Sequence, residues 1–400
     1  MNMISVSEML NKYPNIRLAT QADNDEILEF TKSVPMRAGA VSLRYERGPN
    51  YFDQTKLQGD SAFVLVIVAD GKIAGVTAIS VKRTYCNGSA VKAGYFSDLR
   101  VQAKLPTHIR TQWRNVYFEL INNFSTIAEL CECSFLYSVL LNENDRMLKI
   151  FKNQSAPVSH EKIDEFWTYN LLGRLPVPFR MNNSRLSKQR GMKVRRATID
   201  DIDALKEHLK HENEDRVLGH YFSDDDGDEF GKRMTRWANF DISSFIITED
   251  CNNKIVGCVY PWSASRTKRL IVESLPKAMA IVGKLMPFLG KPSALIGHEL
   301  KVLYLTHLEI TSSYSDQERQ AIFELMLRFI YKHKIHIGYH MISFSDFPTR
   351  PLAPGLKGKG IIANQILSSA FQLVPKTGSA SQFRVSPLKG KHIGYELGVV

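Results

Sequence analysis

The sequence predicts an α/β protein built from two tandem copies of one unit, each a mixed, mostly antiparallel, twisted sheet flanked by helices. Three observations predict it. Short motifs recur in the same order in both halves, each half holds a strand–tight turn–strand signature, and each holds a strand running into a long amphipathic helix.

In chain order, each copy opens on a short strand: Asn15-Ile16-Arg17-Leu18-Ala19-Thr20 recurs as Lys193-Val194-Arg195-Arg196-Ala197-Thr198. An acidic helix start follows, with Asp25 or Asp203. Residues 62–76, AFVLVIVADGKIAGV, recur as SFIITEDCNNKIVGCV at 244–259, both reading as hairpins. Leu99-Arg100-Val101 then matches Leu308-Glu309-Ile310, each closing a strand ahead of a helix. The first of these helices has apolar Ile109, Trp113, Val116, Leu120 and Phe124, a stripe of period 3.6. Strands SFLYSVLL (134–141) and HMISFSDF (340–347) come next, and Asn144 with Phe151 pairs with Asn364 and Phe371. The offsets between copies, 178, 182, 209 and 220, increase steadily, as insertions into the second copy produce.

This order predicts an N-terminal domain over 1–180, a linker over 181–192 and a C-terminal domain over 193–400. Charge supports the division. Residues 1–180 carry 21 basic and 18 acidic side chains and residues 197–400 carry 25 and 23, whereas 181–196 has six basic side chains and no acid. The formal charge of +11 is therefore concentrated in a connector. That argues against a basic domain surface and against specific nucleic-acid recognition. The segment from Ser274 to Gly290 contains Lys277, Lys284, Pro276 and Pro287 and is too short to span a bilayer, so no membrane role is expected. Five scattered cysteines (Cys86, Cys131, Cys133, Cys251 and Cys258), read as apolar-strand thiols, fit a reducing cytoplasm.

With I-R-x-A-T opening the chain and D-G-K-I-A-G-V in the hairpin, this element order resembles the GNAT superfamily of acyl-CoA-dependent N-acetyltransferases, over nearly the whole chain as two GNAT-like domains. The resemblance implies acyl transfer from acetyl-CoA, or another acyl-CoA, to a small-molecule or peptide amine. It also implies that the pantetheine lies along Leu99, Arg100 and Val101, with the pyrophosphate at the start of the following helix. Two features depart from the family pattern. The glycine-rich turn is missing, with no glycine from Val101 to Phe124 or from Leu300 to His336. The tyrosine that often acts as general acid is Phe151 in one copy and Phe371 in the other.

Charge nevertheless separates the two helix starts. In the first copy Lys104, His108, Arg110 and Arg114 surround it, and no acid occurs between Asp98 and Glu119. Such a helix start presents unpaired N–H groups and partial positive charge, so side chains can replace glycine in holding an anion. The expected cofactor contacts are Leu99, Arg100, Val101, Arg110, Thr111, Arg114 and, from the later segment, Asn144. The second copy reads Ser315-Asp316-Gln317-Glu318, a capping box with acids in the first turn, which closes it to pyrophosphate. Asp98 is the candidate base and Tyr137 the candidate acid, while His307 and Glu309 lie on the matching strand of the second copy. No metal is expected, since His333, His336 and His340 lack nearby acids or cysteines. Asp224–Asp228 lacks calcium-loop spacing, and Gly355–Gly360 lacks P-loop spacing and reads as a flexible loop whose Lys357 or Lys359 can touch substrate. The competing reading is a non-catalytic scaffold that has lost acyl-CoA.

Overall fold

The computed structural model describes residues 3–397 except 35, 39–40, 176, 181, 183, 224–227, 278–280, 282, 285–286, 288–291 and 377–383. The first copy contains α1 (Val6–Leu10), β1 (Ile16–Leu18), α2 (Asn24–Ser33), β2 (Met36–Ala38), β3 (Val41–Arg47) and α3 (Tyr51–Gln58). It continues with β4 (Ser61–Ala69), β5 (Lys72–Cys86), β6 (Ser89–Val101), α4 (Thr107–Asn122), β7 (Cys133–Leu141), α5 (Asp145–Phe151) and β8 (Val158–Arg174). After α6 (Ser184–Gln189) come β9 (Lys193–Arg196), α7 (Ile202–Asn213), β10 (Val217–His220), α8 (Glu229–Arg236), β11 (Ile246–Glu249) and β12 (Ile255–Trp262). The chain closes with β13 (Lys268–Ser274), β14 (Val302–Ile310), α9 (Asp316–Lys332), β15 (Met341–Asp346) and β16 (Ile361–Pro375).

The recurring motifs have a common physical cause. Arg17 donates both terminal nitrogens to Asp23, at 2.8 and 2.7 Å, and Arg195 does the same to Asp201, at 2.7 and 2.8 Å. Each carboxylate also accepts from the backbone of Thr20 or Thr198 at 2.7 Å, so the same bidentate clamp starts α2 and α7, the helices that follow β1 and β9. Hydrogen bonding to the arginine holds both aspartates below the usual carboxylate range. In the hairpins, Gly75 and Gly257 occupy equivalent positions where a Cβ would come within 2.4 Å of Ile67 and 2.6 Å of Ile322. The first hairpin turns on Asp70 and Gly71, both with positive φ, the form favoured by two-residue loops.

The strands of both copies join in one sheet, in the order β1-β4-β5-β6-β7-β16-β8-β15-β14-β12-β11-β9, with β10 pairing on β5. The final strands are exchanged. β16, from the second copy, lies between β7 and β8 of the first, while β8 pairs on its far side with β15. β10 of the second copy extends the β5 edge, and β13 pairs with β3 in a second, three-stranded sheet. α4 buries Ile109, Trp113, Val116 and Leu120 against the first half, and α9 buries Ile322, Met326 and Ile330 against the second.

Several expectations need correction. The match of Asn144–Phe151 with Asn364–Phe371 fails, because the first pair bounds α5 whereas the second lies within β16. The second-copy counterpart of α5 shrinks to a 3₁₀ turn at Ala353–Leu356, where Pro351 and Pro354 prevent a longer helix. Cys86, Cys133 and Cys258 are buried strand thiols, but Cys131 and Cys251 lie in turns and Cys251 is exposed. The basic connector is less solvated than its composition predicts. Ser184–Gln189 is helical, Arg190 bonds Glu318 at 2.9 Å, and Arg195 is held by Asp201 and Glu249. The acidic run at 224–227 and most of 278–291 lie outside the described residues.

The strand exchange generates a prediction. Proteolytic cleavage within 181–192 will give two fragments on a denaturing gel that elute together as one particle under native conditions, because each half completes the other's sheet. Separation of the fragments without denaturant would refute the interlock.

Candidate functional site

Each copy contains a place where two parallel strands part. In the first, β6 and β7 pair from Lys92–Cys133 to Tyr95–Tyr137 and then diverge, with the Ser138 hydroxyl donating to the Phe96 carbonyl at 3.0 Å. In the second, β14 and β15 pair from Val302–Met341 to Tyr304–Ser343 and diverge likewise. Beyond each divergence the outer strand bulges: β6 shifts register on β5 between Ser97 and Arg100, and β14 on β12 between Thr306 and Glu309. Asp98 (φ 54°) and His307 (φ 50°) sit in the left-handed region at equivalent places in these bulges.

The surroundings of the two bulges differ. Asp98 Oδ2 accepts from the Tyr51 hydroxyl at 2.7 Å, Oδ1 accepts from Arg100 Nε at 2.7 Å, and Arg47 Nη1 lies 3.4 Å away. Burial opposes the charge on Asp98, but Arg100, Arg47 and Tyr51 outweigh it and hold the pKa below the usual carboxylate range. A carboxylate so engaged is a weak base and a strong clamp. His307, by contrast, accepts through Nε2 from Arg233 at 2.8 Å, so its proton resides on Nδ1, facing the Thr306 hydroxyl at 3.1 Å. Arg233 is 2% exposed and also donates to Glu396 at 3.1 Å, His220 Nδ1 at 3.0 Å and Glu229 at 3.0 Å. Burial, then Arg233, pushes both histidines well below their ordinary pKa; burial pushes Glu396 up.

The two openings are filled to different degrees. The second is lined by His307, Phe347, His392, Tyr395 and Glu396 around a cavity of about 40 Å³. Glu309, on its floor, is occupied by Arg216 at 2.8 and 2.6 Å. In the first opening Leu99 is 41% exposed, and Val101 and the facing Val139, Leu140 and Leu141 are half-buried. The adjacent helices differ too. α4 starts at Pro106 with no side-chain cap and no acid in its first turn, whereas Ser315 and Glu318 form a reciprocal capping box on α9.

The expected site residues are placed as follows. Leu99 and Val101 line the edge of β6 left open by the divergence, but the Arg100 side chain turns inward to Asp98 and to the Thr31 carbonyl at 3.2 Å. Arg110 and Arg114 are exposed on the first turns of α4 and Thr111 is half-buried. One nitrogen of Arg110 donates to the carbonyls of Ala103 (3.1 Å) and Leu105 (3.2 Å) of its own loop. Asn144 caps α5, accepting from Met147 N at 3.2 Å. Tyr137 ends the paired part of β7, stacked on Tyr95 at 4.9 Å, and burial raises its pKa well above 10. Lys82 Nζ lies 5.9 Å from the Tyr137 ring and burial lowers its pKa to about 8. Phe151 stacks at 3.9 Å on His160, whose Nε2 meets the Tyr117 hydroxyl at 3.0 Å. Lys359, expected in a flexible loop, is fully buried 3.5 Å from Glu324, and Gly358 and Gly360 at positive φ make that inward turn. No cluster of metal-ligating side chains occurs among the described residues.

Sequence reasoning missed Arg233, His220, Glu396, Arg47 and Lys268. Their partners lie far away in the chain, Glu396 163 residues beyond Arg233 and Arg47 on another strand opposite Lys268, so no local spacing announces them.

Two splayed parallel pairs, each beside a bulged strand and followed by a helix, define the acyl-CoA N-acyltransferase (GNAT) fold, present here twice. In sequence the chain matches no family model and no curated protein. Among solved structures it is similar to Saccharomyces cerevisiae N-myristoyltransferase with bound myristoyl-CoA (TM-score 0.56, 10% identity), covering 96% of this chain and 86% of that one. A second structure of that enzyme with myristoyl-CoA gives 0.55 and 12%, covering 97% and 82%. The glucosamine N-acetyltransferase region of a fungal multi-domain β-N-acetylglucosaminidase gives 0.52 and 9%, covering 90% of this chain and 38% of that one.

His160 provides a pH prediction. Burial lowers its pKa from 6.5 to about 4, so the unfolded chain binds the extra proton in that window and stability falls as pH drops from 6.5 towards 4. The loss is at most about 3 kcal/mol. His160→Phe will flatten the denaturation profile between those pH values; an unchanged profile would show that His160 titrates normally.

Proposed function

We propose that the protein is an acyl-CoA-dependent N-acyltransferase with one working cofactor site, in the first copy. The observation that carries this reading is the contrast between openings. The first is partly exposed and leads to an uncapped, acid-free helix start carrying Lys104, His108, Arg110 and Arg114. The second holds a cavity of only about 40 Å³ lined by the Arg233–histidine cluster, and its helix is capped by the Ser315–Glu318 box. The N-myristoyltransferase similarity, with myristoyl-CoA bound to that enzyme, supports an acyl-CoA ligand along Leu99 to Val101. The pyrophosphate would meet the N–H groups of α4, with Arg110 and Arg114 supplying the charge that glycine-assisted backbone contact supplies in other GNAT turns.

Transfer requires an amine to attack the thioester carbonyl, the thiolate to leave, and the amine proton to be removed. In this reading Tyr137, at the last paired position of β7 and neutral in its buried position, protonates the thiolate. Lys82 beside it, with a pKa of about 8, exchanges protons near neutrality and is better suited than Asp98 to take one. The acyl length and the cytoplasmic setting belong to this proposal, not to the fold.

The test is calorimetry with acetyl-CoA and myristoyl-CoA. One of them will bind the wild type, and Arg110→Ala with Arg114→Ala will weaken that binding about tenfold to a hundredfold. Glu318→Gln will leave it within about twofold. Absence of heat with both ligands would favour the non-catalytic scaffold, a reading supported by the phenylalanine at 151 and the glycine-free turns. Separately, Tyr137→Phe will lower turnover by about 10²-fold or more while acyl-CoA affinity is retained. Unchanged turnover would remove Tyr137 from the mechanism.

A further inference from the structure

The residue that opens the exposed edge of β6 is tied to three other elements of the first copy. Asp98 lies at φ 54°, immediately before Leu99, and its side chain is 2% exposed. Tyr51, the first residue of α3, is fully buried and donates its hydroxyl to Asp98 Oδ2 at 2.7 Å. The backbone N–H of Tyr51 is held in turn by the Asn24 side chain, at the start of α2, at 2.9 Å. Arg100 donates through Nε to Asp98 Oδ1 at 2.7 Å, and through Nη1 to the carbonyl of Thr31 in α2 at 3.2 Å. Arg47 lies 3.4 Å from Asp98 Oδ2 and 5.1 Å from the Tyr51 ring. It ends β3, whose ladder with β13 of the second copy is a charged seam, with Arg47 opposite Lys268 and Glu46 opposite Arg269.

Both oxygens of Asp98 are therefore engaged within the protein. A non-glycine residue in the left-handed region keeps that conformation only while its neighbours enforce it. We propose that Asp98, Tyr51 and Arg100 are positioning residues for acyl transfer: they hold the β6 bulge so that Leu99 to Val101 present a pre-formed edge to the acyl-CoA. An edge already fixed in its binding conformation loses no freedom when the ligand arrives, which raises affinity. The proposal rests on the acyltransferase reading above and reassigns two residues singled out from the sequence. Asp98 acts on the backbone and not as the base, and Arg100 serves Asp98 and α2 and not the cofactor.

Hydrogen exchange on the ligand-free full chain, read peptide by peptide, tests the positioning without acyl-CoA. Tyr51→Phe keeps the ring against Arg47 and removes only the hydroxyl. In this variant the amides of residues 98–101 and of their β5 partners at 75–78 will exchange about tenfold faster, while the β8–β16 ladder keeps its wild-type rate. Acyl-CoA affinity, measured by calorimetry, will fall about tenfold or more, as for one lost hydrogen bond to a charged group. Turnover at saturating acyl-CoA will stay within about threefold. Asp98→Asn removes the counter-charge of both guanidiniums and will show the same local loosening more strongly. If that variant does not fold, Tyr51→Phe carries the test. Unchanged exchange at 98–101 in Tyr51→Phe, or acceleration spread evenly over both copies, overturns the proposal. So does an Asp98→Asn protein that loses turnover while its exchange and acyl-CoA affinity stay at wild-type values, since Asp98 is then the base. Faster local exchange in a protein that binds neither acetyl-CoA nor myristoyl-CoA keeps the clamp on the bulge and removes the acyltransferase reading. Acyl-CoA binding that is indifferent to Tyr51→Phe does the reverse.

Discussion

The exchange of the last strands is the constraint on which the rest of the structure depends. β7 forms one wall of the first opening, and its other edge is paired by β16 from the second copy. β15 forms the corresponding wall of the second opening and is paired by β8 from the first. Without its partner, each of these strands would present an unpaired edge inside the molecule, where orphaned N–H and C=O groups are costly. Neither opening can therefore be positioned by its own copy alone. The long β8–β16 ladder, from Ile361–Arg174 to Pro375–Val158, makes the two copies one folding unit although the motifs read as two.

Within that shared sheet the same backbone device has been put to two uses. A non-glycine residue in the left-handed region is strained by roughly 1–2 kcal/mol, so it persists only where neighbours hold it. Asp98 is held by two arginines and a tyrosine, and His307 by Arg233 and Thr306. The first arrangement keeps a charge and leaves the strand edge beside it accessible. In the second, neutral imidazoles surround one arginine and the opening is filled. Duplication supplied two grooves, and the side chains at equivalent positions line them differently: an exposed strand edge in one, a buried Arg233–histidine cluster around a small cavity in the other.

Much of this was legible in the sequence because it is local. The Arg17–Asp23 and Arg195–Asp201 clamps, the hairpin glycines at 75 and 257, the stripe of α4 and the Ser315–Glu318 box depend on residues within a few turns of each other, or on one close approach. The exchange of β8 and β16 was not legible, since a strand's period of two states which face is buried but not which strand lies beside it. The pairing of Asn144–Phe151 with Asn364–Phe371 shows the same limit: a spacing of seven is compatible with a helix or a strand, and the prolines at 351 and 354 were the better evidence. Asp98 read as a candidate base because Arg47 and Tyr51, about fifty positions earlier, are invisible from the motif. Lys359 read as mobile because glycines flank it, yet those glycines are what allow it to reach Glu324 in the core.

The placement of the charged seam links these points. Arg47 comes from one copy and Lys268 from the other, and β3 and β13 meet outside the main sheet, in a small sheet of their own. The contact has no counterpart within a single copy, so it arose as a property of the joined molecule. It also lies against the one bulge whose groove remains open. The second copy thus has two uses for the first: it completes the main sheet through β16, and it pairs with β3 through β13. Loss of cofactor features in the second copy is then compatible with its retention, because its strands pair edges that the first copy cannot pair by itself.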